Sequence, residues 1–208
     1  MRQAESPQLV LASASTSRRA LLESAGLRFE AVAAAVDEAA IKESCQAEGI
    51  PPAEAAIMLA DAKAMRVARK RPEALVIGGD QLLVCRDEAG VLRWYDKPVD
   101  LAAARRQLLE LRGRPHELVT ATVAWRDGQR IWQDVTTPRL TMRDFSEDFL
   151  DAYLAAEGEV LLASVGAYRL EGLGVHLMAR VDGAHSAILG LPLLPLLAFL
   201  RQHGVLTG

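Results

Sequence analysis

Ala74-Leu75-Val76-Ile77-Gly78-Gly79-Asp80 is an unbroken apolar run that closes on two glycines and a carboxylate. Such a run is the pattern of a strand buried on both faces, as in sheets covered by helices, and it predicts a strand that delivers a side chain at its tip. That side chain is Asp80. A carboxylate there is costly unless a cation meets it, so Asp80 is a candidate base or metal ligand; its other reading is a helix cap or a structural ion pair.

Working outward, Pro52 to about Arg71 holds strong helix formers, with Ile57, Leu59, Ala60, Ala64 and Val67 on one apolar face and Pro72 as the stop. Upstream, Gln8 to Ala12 reads as a strand, Ser13 to Ser17 as a hydroxyl-rich loop, and the segment from Arg18 as a helix stopped at Gly26. Downstream, Leu82 to Cys85 and Val91 to Tyr95 read as a hairpin around Glu88-Ala89-Gly90. Asp100 caps a helix over Leu101 to Leu111 that Gly113 ends. Val119 to Trp125 alternates as a strand, and Arg130 to Met142 pairs with it across Asp127-Gly128, with Pro138 at an edge or bulge. Ser146 caps a helix to about Ala156, and Leu193 to Gln202 forms the last one. The order predicts an α/β fold, a mixed sheet flanked by helices, over residues 1–208 as one domain, with two lobes around a central cleft.

Composition narrows the partners. Lys and Arg total 24 against 27 acidic residues in 208, a net charge of -3, so no bulk attraction draws the chain to nucleic acid or an anionic membrane. An anionic ligand has to be held locally. The apolar stretch from Ile188 to Leu200 reads as a buried strand end and helix; it contains Pro192 and Pro195 and is too short to span a bilayer. The N-terminus lacks a signal-peptide layout, and a cytoplasmic location is the expectation. Cys45 and Cys85 lie far apart without metal-ligand spacing and read as plain thiols. The four histidines show no metal spacing and receive no catalytic role.

Three constellations can carry chemistry. Ser13, Ser15, Thr16, Ser17, Arg18 and Arg19 stand at a strand-to-helix turn, where free N–H groups, hydroxyls and guanidinium groups suit phosphate oxygens. The plainer reading is capping hydroxyls and solvated arginines, and no Walker loop is present. The second set is Asp80 with Asp37, Glu38, Lys63 and Lys97. Taken alone, Lys63 reads as a solvated helix lysine, while Lys97 is pinned by Pro98. The third is Gly166 to Gly174, where close glycines let backbone approach a ligand and Glu171 can accept hydrogen bonds; a glycine-rich turn between strands is its plainer reading.

These segments together resemble the Maf family of nucleotide pyrophosphatases. The resemblance lies in Leu11-Ala12-Ser13-Ala14-Ser15-Thr16-Ser17-Arg18-Arg19 with Leu21-Leu22, Asp37-Glu38, Leu59-Ala60 with Lys63-Ala64, and Ile77-Gly78-Gly79-Asp80. It continues through Lys97-Pro98, the Leu108 to Gly113 region with His116 and Thr120, Gly166-Ala167-Tyr168, and Gly190-Leu191-Pro192-Leu193, in the family's order. It implies a Maf-like fold, often a homodimer, that hydrolyses a nucleoside triphosphate to a monophosphate and pyrophosphate with a divalent cation (Mg²⁺, Mn²⁺ or Co²⁺). Carried over by position, Asp80 matches the proton acceptor, and Ser13, Arg18, Lys63 and Lys97 match positions that handle the substrate phosphates; Ser15 and Arg19 join them as substrate-binding candidates. Asp37 and Glu38 match an acidic pair that supports the metal together with Asp80.

Gln81 after Asp80, and Glu171 before Gly172, look like the branch that prefers 7-methyl-GTP over the one acting on dTTP and UTP. N7-methylated guanine is positively charged, so a nearby carboxylate such as Glu171 would favour it, and Gln81 could read an edge of the base. The chain departs from the family at Ser17, where Arg or Trp is usual, at Thr16 in place of Pro, and at Ser186-Ala187 in place of an Asn. Ser17, Gln81 and Glu171 are therefore the specificity positions. The alternative is a non-catalytic nucleotide-binding regulator of cell division, in which those substitutions have cost the activity.

Overall fold

A computed structural model describes residues 2–207. The fold is mixed α/β, an open sheet flanked by seven α-helices among the described residues. By contact the chain divides into two compact units: Met1–Gln81, Thr120–Thr136 and Ala184–Gly208 form the first, Leu82–Val119 and Thr137–Gly183 the second.

In the first unit, strand β1 (Leu9–Leu11) leads to helix α1 (Thr16–Ser24), strand β2 (Glu30–Ala31), helices α2 (Glu38–Ala47) and α3 (Pro52–Ala68), and strand β3 (Leu75–Arg86). β1 lies between β2 and β3, parallel to both, with Val10 opposite Glu30 and Leu11 opposite Ile77. Parallel pairing needs helical crossovers that cover the sheet, which is why β1 and the first residues of β3 are apolar throughout. The expected strand ending at Asp80 and a separate one at Leu82–Cys85 are one strand. β3 runs on to Arg86, so Asp80 sits mid-strand rather than at a tip. The glycines do not end pairing; they let another element approach, as described below.

The second part of the chain adds strand β4 (Leu92–Tyr95), helix α4 (Leu101–Leu111), strands β5 (Pro115–Arg126), β6 (Gln129–Thr136) and β7 (Arg139–Met142), and helix α5 (Glu147–Glu157). It closes with strand β8 (Met178–Asp182), the short helix α6 (His185–Ile188) and helix α7 (Leu193–Gln202). Asp100 and Ser146 cap α4 and α5 as their sequence predicts, accepting from Ala103 N at 2.6 Å and Phe149 N at 3.2 Å. The β5–β6 hairpin turns at Asp127 and Gly128, with φ 51° and 75°, the left-handed pair a tight hairpin requires. The expected strand from Arg130 to Met142 is two: pairing with β5 stops at Thr136, and Arg139–Met142 pairs instead with Pro115–Glu117 and with β8. Pro138 between them has no N–H to offer a ladder. The chain before α7 is α6 and a turn rather than a strand end.

The first unit's core gathers Leu9, Leu11, Leu22, Leu75, Ile77, Phe199 and Leu200, all at most 2% exposed. Each such side chain contributes about 1.5–3 kcal/mol by leaving water. Trp132 of β6 stacks on Phe199 at 4.9 Å between ring centroids. No helix among the described residues is long and apolar enough to cross a membrane.

Candidate active site

The site begins where α3 meets β3. The buried residues of α3 are Ala55, Ala56, Leu59, Ala60, Lys63, Ala64, Val67 and Ala68, a face dominated by alanine. Small side chains bring the helix close to the strand. A Cβ on Gly78 would lie 2.4 Å from the Ala60 carbonyl oxygen and 2.8 Å from the Ala64 Cβ, so only glycine fits. Strand side chains alternate, so Asp80, two residues on, faces the same helix. It meets Lys63, whose Nζ donates to Asp80 Oδ1 at 2.5 Å and to Glu38 Oε1 at 2.9 Å.

The plainer reading of Lys63 taken alone, a solvated lysine, does not hold: it is 8% exposed and Asp80 4%. The lysine falls on the buried face by helical periodicity, while Ile57, expected there, is only half-buried. Burial of an ammonium and a carboxylate is tolerable because they bond each other. Yet Asp80 Oδ2 is buried with no hydrogen-bond partner, an unmet acceptor on an otherwise clamped carboxylate.

Arg18 joins from α1. Ser15 caps that helix by accepting from Arg18 N at 3.3 Å, and Ser13 Oγ accepts from Ser15 N at 3.2 Å. The Arg18 side chain is 8% exposed, and its guanidinium lies in a slot between two glycines. A Cβ on Gly79 would come within 3.3 Å of Arg18 Nε, and one on Gly190 within 3.2 Å. Nε donates to the Gly190 carbonyl at 2.7 Å and Nη1 to Ser13 Oγ at 3.2 Å. Burial holds the guanidinium below its ordinary pKa, opposed by the negative charges of Asp80 and Glu38. Two cations and two carboxylates therefore share one electrostatic neighbourhood within one compact unit.

The surroundings of the other expected positions are as follows. Asp37 is exposed, and its Oδ1 accepts from Ala40 N at 3.0 Å, capping α2, a helix the sequence reading does not anticipate. Arg19 is exposed and Ser17 half-buried on α1. Gln81 is half-buried, pointing to the face of β3 opposite Asp80, where its Nε2 donates to Thr120 Oγ1 at 2.8 Å. Lys97 and Glu171 are exposed and belong to the second unit. Arg169 Nε lies 3.6 Å from Glu171 Oε1. Among the described residues, no group of three or more His, Cys, Asp or Glu side chains is placed to hold a metal ion.

Sequence reasoning misses the two glycine contacts of Arg18, and it passes over His116. In the second unit His116 is 1% exposed and its Nε2 lies 2.8 Å from the Tyr168 hydroxyl. Burial pushes the His116 pKa down to about 4, against a backbone hydrogen bond involving Arg114, and burial pushes Tyr168 well up. Both are neutral near pH 7.

Fold and site define a mixed α/β protein that buries a lysine–carboxylate pair and an arginine around one strand. The chain belongs to the Maf-like protein family, whose model matches residues 8–203. It is 55% identical over 200 residues to a nucleoside triphosphate pyrophosphatase of Granulibacter bethesdensis, covering 96% of this chain and 99% of that one. A protein of the same name from Rhodospirillum rubrum is 52% identical, with 97% and 98% covered. A 7-methyl-GTP pyrophosphatase of Rhizobium meliloti is 48% identical, with 97% and 99% covered.

Proposed function

We propose that this chain is a nucleoside triphosphate pyrophosphatase, cleaving between the α- and β-phosphates to give a nucleoside monophosphate and pyrophosphate and so removing non-canonical nucleotides. The observation that carries the reading is Asp80, with Oδ1 clamped by Lys63 at 2.5 Å and Oδ2 buried without a partner. An unmet buried acceptor costs about 1–3 kcal/mol, a cost that a bound water or ligand donor would remove. The names of the relatives at 48–55% identity support the reaction class.

In this reaction the oxygen of a water bonds to the α-phosphorus as the bond from that phosphorus to the α–β bridging oxygen breaks. Asp80 Oδ2 takes the proton, and pyrophosphate departs with the electron pair. Lys63 fixes which oxygen of Asp80 faces the water. Arg18, from its glycine slot, and the Ser13 and Ser15 region with the exposed Arg19 meet phosphate oxygens, as does Lys97.

A divalent cation (Mg²⁺, Mn²⁺ or Co²⁺) fits the donor set. Such ions take one or two carboxylates and complete their shell from phosphate oxygens and water, so no all-protein cage is needed. Glu38 and the remaining lone pairs of Asp80 are the donors, with Asp37 at the start of α2 beside them. Bound there, the ion would draw charge from the phosphate oxygens.

For the base we favour 7-methyl-GTP or another modified nucleotide, with the Glu171 carboxylate complementing a cationic ring and Ser17 and Gln81 shaping the site. Residues 1–208 act as one catalytic domain, a homodimer working in the cytoplasm on free nucleotides. The deciding assay follows pyrophosphate from 7-methyl-GTP, dTTP, UTP and GTP with Mg²⁺ or Mn²⁺. Release from 7-methyl-GTP in preference to the others is expected. Tight binding of intact triphosphate with no pyrophosphate released would overturn the enzyme reading in favour of a nucleotide-binding regulator.

A further inference from the structure

Gly79 and Gln81 share the face of β3 opposite Gly78 and Asp80. Gly79 lies under Arg18, and Gln81 reaches the end of α6. Its Nε2 is 2.8 Å from Thr120 Oγ1 and 3.0 Å from each of the Ala187 and Ile188 carbonyl oxygens. Carbonyls only accept, so the amide must present its nitrogen to them. Thr120 Oγ1 directs its own proton to Ala187 O at 3.1 Å and therefore receives one from Gln81. The two N–H groups of Gln81 are committed to three acceptors.

What they hold is the support of Arg18. α6 is only four residues long, so its last carbonyls have no helical partners and depend on groups from outside. The Ala187 carbonyl accepts from Gln81, from Thr120 and, at 3.0 Å, from Gly190 N. Gly190, at φ 94°, then offers its own carbonyl to Arg18 Nε at 2.7 Å. Hydrogen bonds thus run without a gap from Gln81 through Ala187 and Gly190 to Arg18, all inside the first compact unit.

We propose that Gln81 is a positioning residue: through the α6 turn it sets where the Arg18 guanidinium stands, and its amide nitrogen takes no part in reading a base. Any reading of a base edge by Gln81 is left to its Oε1. The proposal rests on Arg18 acting on the triphosphate, as stated above. Loosening a support of this kind acts at a distance, since a misplacement of about 1 Å can cost about 100-fold in rate.

The test is a double-mutant cycle with nucleotide panels. Gln81→Met keeps the length of the side chain and removes both donors. It is expected to lower kcat about tenfold, with KM changed by no more than about twofold. Added to Arg18→Met, which alone loses more, it is expected to cost less than about a further twofold. Thr120→Val, which drops the hydroxyl but keeps the shape, should give a smaller loss of the same kind. It serves as the second route should the thermal midpoint show that Gln81→Met does not fold. Losses that multiply in the double variants would overturn the proposal. Full turnover in Arg18→Met alone would instead sink the phosphate role of Arg18, a separate failure read from a separate variant.

Discussion

The two compact units bury polar groups in opposite ways. The first encloses Arg18, Lys63 and Asp80, at 8%, 8% and 4% exposure, and bonds Lys63 to both Asp80 and Glu38. The second encloses His116 and Tyr168, at 1% and 5%, as a neutral pair joined by one hydrogen bond of 2.8 Å. Both solutions avoid an isolated charge in an apolar interior, which is the expensive case. In the first, Asp80 Oδ2 is buried without a partner. The difference teaches where to look for chemistry: a neutral pair holds a fold together, while a clamped charge with one unmet acceptor invites a ligand.

That contrast can be broken at several points. The largest effect is expected from Asp80→Asn, which keeps the shape and removes the proton acceptor; pyrophosphate release should fall by about 10²–10⁴-fold. Unchanged turnover would leave the charged cluster as a structural device no different in kind from the neutral one. Lys63→Met leaves the buried Asp80 carboxylate without its ammonium partner and should cost about 3–5 kcal/mol by denaturant titration as well as most of the activity. A loss below about 1 kcal/mol would mean that the pair stabilises no more than a surface bridge.

The neutral pair is sharpened by pH. With its folded pKa at about 4 and an unfolded value of 6.5, His116 binds its proton more readily in the unfolded chain. Its contribution is intact above pH 6.5 and is lost as pH falls toward about 4, amounting to about 3 kcal/mol. Stability measured across that window should show the slope, and His116→Gln should flatten it; an equal slope in the variant would assign it to other groups. The smallest effect belongs to Tyr168→Phe, which leaves a buried imidazole nitrogen without its partner at a cost of about 1–3 kcal/mol. Its kcat is expected to match the parent, and a kcat loss of tenfold would erase the distinction between the units.

Local sequence already determined several parts. Continuous apolar runs give β1 and the first half of β3, because strands covered on both faces admit little else. Asp100, Ser146 and Asp127-Gly128 mark caps and a turn through chemistry confined to a few residues. The candidate site residues were also legible, through an ordered set of short motifs that resembles one family. Their surroundings were not. Asp37 reads as a metal-site acid and caps a helix, because capping depends on a helix that its own neighbourhood announces weakly.

By itself, then, the chain determined many of the strands and helices, though not α2 or the division of β6 from β7, and that Asp80, Lys63 and Arg18 merit attention, since propensity and pattern are properties of neighbouring residues. Tertiary structure alone decided that Lys63 is buried against Asp80 and Glu38, that Gly79 and Gly190 form the slot for Arg18, and that Gln81 holds a turn more than a hundred residues away. Those contacts join positions separated by 17 to 172 residues along the chain. Their energies come from burial and hydrogen bonding that exist only once the helix, the strands and the turn have been brought together.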